Sequence, residues 1–125
     1  MRAESCLRDA RGAKKRVPRR ERGARVPFPL RGFIDLHSHW VAGVDDGART
    51  PEDGRALLEA LKTAGFDHVV ATPHMRPGMF DNTRDTLRAA FDRTAAAVGA
   101  SSAATVGLPA VSLASEHYFD DVVYA

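Results

Sequence analysis

The sequence has a single cysteine, Cys6, and therefore offers no intramolecular disulfide. This excludes a disulfide-stabilised scaffold, and a lone thiol fits the reducing cytoplasm. Long apolar runs are also missing from the sequence. No segment approaches the roughly 20 apolar residues that cross a bilayer, and no signal-type apolar core follows the early arginines. We therefore expect a cytoplasmic protein that does not insert into a membrane.

A large net charge is missing as well, because the whole chain carries only +2. This average hides an uneven distribution, since residues 1–32 carry net +8 and the remainder carries net −6. The basic segment contains few apolar residues and cannot bury enough surface to offset the entropy of ordering. We predict a disordered basic extension at residues 1–32, or sequence translated upstream of the true start, and an ordered domain at residues 33–125.

The arginines and lysines of this extension would attract nucleic acid, an acidic membrane or another anionic partner. The extension lacks, however, the interleaved aromatic residues and the amphipathic period that recognition arms show. A solvated extension is the favoured interpretation, and we expect no nucleic-acid partner.

From residue 33 onward, strand-type and helix-type patterns alternate. Short apolar runs predict strands at residues 33–40, 67–72 and 108–115, the second of a type that is buried on both faces of a parallel sheet. Apolar residues at helical spacing predict one helix from Pro51 to about Ala64, with Gly65 just past its end, and a second from about Thr83 to Gly99. The βαβαβ order indicates the α/β class and a parallel sheet with right-handed crossovers.

Histidine and carboxylate side chains gather where these strands end. Strand alternation predicts that Asp35, His37 and His39 share one face of the first strand. His74 follows the second strand and Glu116 follows the third. Because ligand sites of parallel βα folds lie at the carboxyl ends of the strands, these side chains are expected in one layer. The pattern predicts a metal site.

Imidazole and carboxylate ligands together suit Zn²⁺, Mn²⁺, Fe²⁺ and Co²⁺, whereas an all-oxygen set would indicate Mg²⁺ or Ca²⁺. Two or more such ions lower the pKa of a bridging water and bind the anionic oxygens of a phosphate ester. No nucleophilic serine or cysteine is then required, and the one cysteine lies in the predicted extension. Metal-assisted hydrolysis is favoured, and a cysteine-dependent phosphatase is excluded.

Four motifs in a fixed order carry a resemblance to a known family. They are Ile-Asp-Leu-His-Ser-His at residues 34–39, Gly-Val-Asp-Asp-Gly at 43–47, Ala-Thr-Pro-His at 71–74 and Gly-Met-Phe at 78–80. Together they resemble the bacterial PHP-domain protein tyrosine phosphatases of capsule and exopolysaccharide gene clusters, and the resemblance covers about residues 33–123.

The resemblance implies the amino-terminal part of a distorted βα (TIM-like) barrel and a manganese-preferring, trinuclear centre. It also implies the dephosphorylation of tyrosines on an autophosphorylating tyrosine kinase that controls polysaccharide export. By motif, the metal ligands are His37, His39, Asp46 and His74, and Glu116 bridges two metals. Arg76 follows His74 as a basic residue does in the family, and it would contact the substrate phosphate.

Structural alternatives remain open for several of these residues. Asp45 and Asp46 would instead shape an Asx turn before Gly47, and His74 and Glu116 would be ordinary loop residues. For the whole chain, the alternatives are another PHP phosphoesterase, such as a histidinol-phosphate phosphatase, and a non-catalytic metal-binding or regulatory module. His68 and His117 are not assigned to the site.

The main departure from the family is length. A complete βα barrel takes on the order of 250 residues, whereas three strands are predicted here. The later histidine and the Asp-x-His pair that complete the metal centre in the family have no counterpart in this sequence. We expect a truncated enzyme with unpaired sheet edges, low stability and little or no Mn²⁺-dependent hydrolysis of phosphotyrosine.

Overall fold

The computed structural model of the protein describes residues 31–121. The predicted extension at residues 1–32 lies outside the described residues except for its last two positions, and residues 122–125 lie outside them as well. The predicted boundary between the extension and the domain therefore stays a prediction.

Strands and helices alternate along the described part of the chain. Their bounds are β1 Phe33–Ser38, α1 Pro51–Ala64, β2 Phe66–Ala71, β3 His74–Met75, α2 Arg84–Val98, β4 Ala110–Leu113 and β5 Glu116–His117. Strands β1, β2 and β4 form a parallel sheet in that spatial order, and β3 pairs with β5 in a second parallel ladder. The predicted βαβαβ order is confirmed for the main sheet, whereas the β3–β5 pair was not predicted.

Both helices begin and end where the sequence predicts, because their caps are local. Thr50 accepts a hydrogen bond at its Oγ1 from the Asp53 backbone N–H at 3.2 Å, and the Asp53 carboxylate accepts one from the Thr50 N–H at 3.1 Å. Thr83 caps α2 in the same way. Gly65 and Gly99 end the two helices at φ of 106° and 75°, a left-handed conformation that glycine adopts without steric cost.

The hydrophobic core lies between the sheet and the two helices. Each crossover moves one strand further in the same direction, so right-handed connections place α1 and α2 on the same face of the sheet. One buried cluster accordingly joins Val69 of β2 and Trp40 after β1 to Leu58 of α1 and Phe91 of α2. Neither helix is long and apolar enough to cross a bilayer.

The opposite face of the sheet is open within the described residues. Ile34 of β1 is 58% exposed, and His68 and Val70 of β2 are only partly buried. Strand β2 was predicted to be buried on both faces, but only one of its faces is fully buried. The reason is that both helices pack on the same side of the sheet. The third predicted strand was also too long: β4 ends at Leu113, and two residues separate it from the next strand, β5.

Helix α1 approaches the end of β1 very closely at Gly54. A Cβ atom at this position would lie 2.3 Å from the backbone oxygen of Trp40, the residue that follows His39. Gly54 itself is buried within the helix. The absence of a side chain here thus lets α1 pack directly against the segment that carries the histidine pair.

We expect Gly54→Ala to destabilise the protein by about 1–3 kcal/mol, the usual cost of overpacking a core. Helix propensity alone predicts the opposite sign, a gain of about 1 kcal/mol. Urea denaturation measures the difference. Ala60→Gly, at an exposed position of the same helix, is the control and should lose only the propensity term. A stabilised Gly54→Ala variant would contradict the close packing.

An ion pair joins the end of α1 to the start of β2. The Lys62 ammonium lies 2.6 Å from Asp67 Oδ1, and the Gly32 backbone N–H donates to Asp67 Oδ2 at 2.8 Å. The hydrogen bond from Lys62 is the main reason why the pKa of Asp67 is lowered below its ordinary value. Since the charged carboxylate is the favoured form in the folded protein, this pair stabilises the fold near and above neutral pH.

Asp67→Asn should reduce stability at neutral pH and have a progressively smaller effect in acid. The contribution of Asp67 is complete above the unfolded-state pKa of about 3.9 and is lost as the pH falls through the lower folded-state pKa. Denaturation midpoints across this range test the sign. Asp92→Asn is the control, because its exposed carboxylate lies 3.9 Å from Arg88 and contributes little. A pH-independent effect of Asp67→Asn would rule out the electrostatic origin.

Candidate metal centre

The histidine pair is placed by an irregularity in the first strand. Asp35 pairs with Val69 and Ser38 pairs with Ala71, so three steps along β1 match two along β2. This breaks simple alternation, as a β-bulge does near many active sites. Asp35, which was predicted to share a strand face with the two histidines, accepts a hydrogen bond at Oδ1 from the His37 backbone N–H at 3.1 Å and belongs to neither candidate ligand group of the described residues.

The loop after β1 contributes two aspartates with different surroundings. The Asp45 side chain is fully buried, whereas the Asp46 side chain is 69% exposed. Asp45 Oδ1 accepts a hydrogen bond from the Gly47 N–H at 3.0 Å, which is the Asx turn considered from the sequence. Asp46 directs its Oδ1 to within 3.4 Å of His74 Nε2.

The short ladder between β3 and β5 places His74 opposite Glu116. These two residues are direct partners in the parallel register, just beyond the ends of β2 and β4. Backbone hydrogen bonds continue the main sheet into this ladder, since the Glu116 N–H donates to the Pro73 oxygen at 3.0 Å and the Thr72 N–H donates to the Ser38 oxygen at 2.8 Å. The strand ends are therefore tied together where the site residues lie.

Three side chains form a nearly regular triangle of ligand atoms. His39 Nε2 lies 3.1 Å from His37 Nε2 and 3.3 Å from Glu116 Oε2, and the latter two atoms are 3.4 Å apart. Two ligand atoms about 2.1 Å from a shared ion are separated by about 3.0 Å at a right angle and about 3.4 Å at a tetrahedral angle. The observed triangle has the dimensions of neighbouring ligands on one ion.

A second group shares a histidine with the first. His39, Asp46 and His74 offer ligand atoms that lie within 4.8 Å of one another. His74 also faces Glu116, with its Nδ1 3.2 Å from Glu116 Oε2. The five side chains predicted as ligands are thus brought together in two overlapping groups.

Two buried polar atoms in this cluster form no hydrogen bond with any described residue. They are His74 Nδ1 and Glu116 Oε2, and the contact between them lacks hydrogen-bond geometry. A buried polar atom without a partner is costly, and a bound ion is one of the accepted reasons for one. The donor set of imidazole nitrogens and carboxylate oxygens fits Mn²⁺, Zn²⁺, Fe²⁺ and Co²⁺. The residues present therefore fit a divalent metal of this class.

Aromatic rings surround His74. Phe80 stacks on its imidazole with centroids 4.9 Å apart, and the Tyr118 ring lies 5.4 Å away at a tilt of 35°. Arg76 extends over the Tyr118 ring at 5.4 Å, and its Nε donates to Asp120 Oδ2 at 2.7 Å. Arg76 is thus held near His74 by an ion pair that the sequence did not suggest.

Sequence reasoning missed two further residues of the site. The sequence indicated only an Asx turn for Asp45, but its Oδ2 also lies 2.7 Å from His39 Nδ1 and accepts a hydrogen bond from the His74 backbone N–H at 3.1 Å. Asn82 donates through its Nδ2 to the Val44 oxygen at 2.8 Å and to the His74 oxygen at 2.9 Å. No sequence signal marks Asn82, because both of its partners are brought near only by the fold.

The two histidines left out of the site have other partners. His68 Nε2 lies 2.8 Å from Ser112 Oγ on the open face of the sheet, and His117 Nε2 lies 3.0 Å from Ser115 Oγ. Neither belongs to a candidate ligand group in the described part of the chain.

Relatives of the chain carry a consistent name. Tyrosine-protein phosphatase CpsB of Streptococcus agalactiae serotype V is 43% identical over 55 residues, which cover 44% of this chain and 23% of that protein. CpsB of Streptococcus pneumoniae is 40% identical over 59 residues, 47% of this chain and 24% of its own length. Tyrosine-protein phosphatase YwqE of Bacillus subtilis strain 168 is 33% identical over 61 residues, 49% of this chain and 24% of its own length.

The matched stretch spans about a quarter of each of these relatives. The family described as "Capsular polysaccharide synthesis, CpsB/CapC" matches a longer part of the chain, residues 33–123. This is the segment over which the four motifs resemble the capsule-cluster phosphatases. The chain belongs to the CpsB/CapC family.

Proposed function

We propose that residues 33–123 supply the amino-terminal part of a metal-dependent protein tyrosine phosphatase site. The observation that carries this proposal is the convergence of five imidazole and carboxylate side chains around two buried atoms that lack hydrogen bonds. The names of the relatives, all tyrosine-protein phosphatases, supply the substrate class. A cognate autophosphorylating tyrosine kinase of capsule or exopolysaccharide synthesis is the proposed protein substrate, met in the cytoplasm.

In this proposal His37, His39 and Glu116 hold one divalent ion, and Asp46 and His74 complete a second site with Glu116, whose Oε2 lies 3.2 Å from His74 Nδ1. Mn²⁺ is the proposed metal, with Zn²⁺, Fe²⁺ and Co²⁺ as alternatives of the same ligand preference. When bound, such ions lower the pKa of a coordinated water and neutralise phosphate oxygens. The Glu116 carboxylate faces both groups, with Oε2 3.3 Å from His39 Nε2 and 3.2 Å from His74 Nδ1, and this position supports a multinuclear centre.

Arg76 is proposed to contact the substrate phosphate. A guanidinium group has five N–H donors, and Asp120 is bonded to the one on Nε. The terminal N–H groups suit a phosphate oxygen, and charge-assisted bonds of this kind are among the stronger ones in proteins. The guanidinium lies over the Tyr118 ring in a cation–π contact, and the same ring packs against His74.

The open sheet supports the proposed barrel architecture. In a βα barrel the helices cover only the outer face of the strands, while the inner face meets the strands opposite. Here both helices lie on one face, and Ile34 and Val70 on the other face are incompletely buried. We propose that residues 33–123 form the first strands of such a barrel, with the candidate ligands at its carboxyl-terminal end.

Metal binding is tested first on the full 125-residue chain. We expect Mn²⁺ binding in calorimetric titration, and a loss of at least about 100-fold in affinity for His39→Ala, because His39 belongs to both ligand groups and even outer-shell changes cost 10–100-fold. His68→Ala is the matched control, since His68 bonds Ser112 outside the site. Equal Mn²⁺ affinities for the two variants would contradict the ligand assignment.

Substrate recognition is tested with a fluorescent phosphotyrosine peptide and its unphosphorylated form. Binding should require both Mn²⁺ and the phosphate, and Arg76→Ala should weaken it by about 10–100-fold, the value of a hydrogen bond to a charged group. Mn²⁺ affinity should not change in Arg76→Ala. Arg88→Ala, on the exposed side of α2, is the control.

Hydrolysis is followed in the same samples, with histidinol phosphate as a competing substrate. Faster hydrolysis of histidinol phosphate than of the phosphotyrosine peptide would contradict the proposed tyrosine phosphatase and favour another phosphoesterase with the same metal chemistry. Equal affinities for the phosphorylated and unphosphorylated peptides would contradict phosphate recognition and favour the alternative of a non-catalytic metal-binding module.

A further inference from the structure

We propose that Asp45 is a positioning residue of the metal centre: it fixes the ring tautomer of His39 and couples His39 to His74. This inference rests on the proposed metal site. It assigns the two adjacent aspartates different roles, with Asp46 as a ligand and Asp45 as the residue that orients ligands.

The carboxylate of Asp45 accepts three hydrogen bonds in a fully buried position. Its Oδ2 lies 2.7 Å from His39 Nδ1 and 3.1 Å from the His74 backbone nitrogen, and its Oδ1 lies 3.0 Å from the Gly47 nitrogen. An ionised carboxylate only accepts, so all three nitrogens donate. Burial of a carboxylate is costly without such bonds, which makes this arrangement specific.

The bond to His39 determines which of its ring nitrogens is free to bind a metal. With the proton on Nδ1, the lone pair of Nε2 points to the space shared with His37 Nε2 and Glu116 Oε2. Carboxylate–histidine pairs of this kind orient ligand histidines in many metal sites and raise their basicity. With His39 Nε2 unprotonated, the 3.1 Å contact between the two Nε2 atoms is a hydrogen bond in which the His37 Nε2–H donates to His39 Nε2 when no metal is bound.

The bond to the His74 backbone joins the two ligand groups. A single oxygen of Asp45 contacts His39 after β1 and His74 in β3, two segments that are 35 residues apart in sequence. Asn82 makes a second connection between the loop that carries Asp45 and strand β3, since its Nδ2 donates to the backbone oxygens of Val44 and His74. The loop that carries Asp45 is therefore fixed against His74 at two points.

Close packing at Gly47 holds this loop against His39. A Cβ atom at position 47 would lie 2.3 Å from both the Cβ and the backbone oxygen of His39. The loop can pass this close only because residue 47 has no side chain. Asp45 thereby comes within hydrogen-bond distance of the His39 ring, while the exposed Asp46 remains free to face His74 Nε2.

The test is a two-bond ¹H–¹⁵N NMR spectrum of the metal-free full chain, which distinguishes protonated from unprotonated ring nitrogens. Wild type should show His39 protonated on Nδ1 and unprotonated on Nε2. Asp45→Asn should populate the Nε2–H tautomer, because a neutral amide is a weaker acceptor and its NH₂ group cannot accept. Asp46→Asn is the matched control: it removes the neighbouring charge but not the contact with Nδ1, so His39 should stay protonated on Nδ1 and unprotonated on Nε2.

Calorimetric Mn²⁺ titration provides the second measurement. Asp45→Asn should lose about 10–100-fold in affinity, the usual effect of removing an outer-shell partner. A wild-type His39 protonated on Nε2 would overturn the proposal without any variant, and so would an Asp45→Asn protein with unchanged spectrum and affinity. Absence of Mn²⁺ binding by wild type would instead contradict the proposed function, since the tautomer is recorded without metal.

Discussion

Parallel pairing of β1, β2 and β4 is the constraint on which the rest of the structure depends. Parallel strands end at one edge of the sheet, and crossovers of one hand keep both helices on one face. The loops that follow the strands therefore meet at this edge. His39, His74 and Glu116 follow three different strands, yet this pairing brings Glu116 Oε2 to 3.3 Å from His39 Nε2 and 3.2 Å from His74 Nδ1.

Specific hydrogen bonds offset the desolvation of the polar groups that gather at this edge. The buried carboxylate of Asp45 accepts three N–H groups, and Asn82 satisfies two backbone oxygens. Among the buried side-chain atoms that described residues contribute to the cluster, His74 Nδ1 and Glu116 Oε2 lack hydrogen bonds. These two buried atoms and the charge of net −6 from residue 33 onward are the features that support the proposed cation site.

Much of the fold was predictable because its determinants are local. Thr50, Gly65 and Gly99 mark helix ends through bonds to residues within one turn, and the apolar period marks the strands and helices. The prediction was wrong where the outcome depends on distant partners. The irregular register of β1 interrupts the alternation from which Asp35, His37 and His39 were assigned to one face, and the two-residue ladder of β3 and β5 is too short to leave a period in the sequence.

The sequence by itself determined the types of ligand, their order and the strand ends to which they belong, because motifs and periodicity are properties of neighbouring residues. The tertiary structure decided the different surroundings of Asp45 and Asp46, the pairing of His74 with Glu116 and the position of Asn82. Spacing cannot distinguish two adjacent aspartates, since the difference between them is burial: one carboxylate is enclosed by N–H groups of three residues, and the other is exposed.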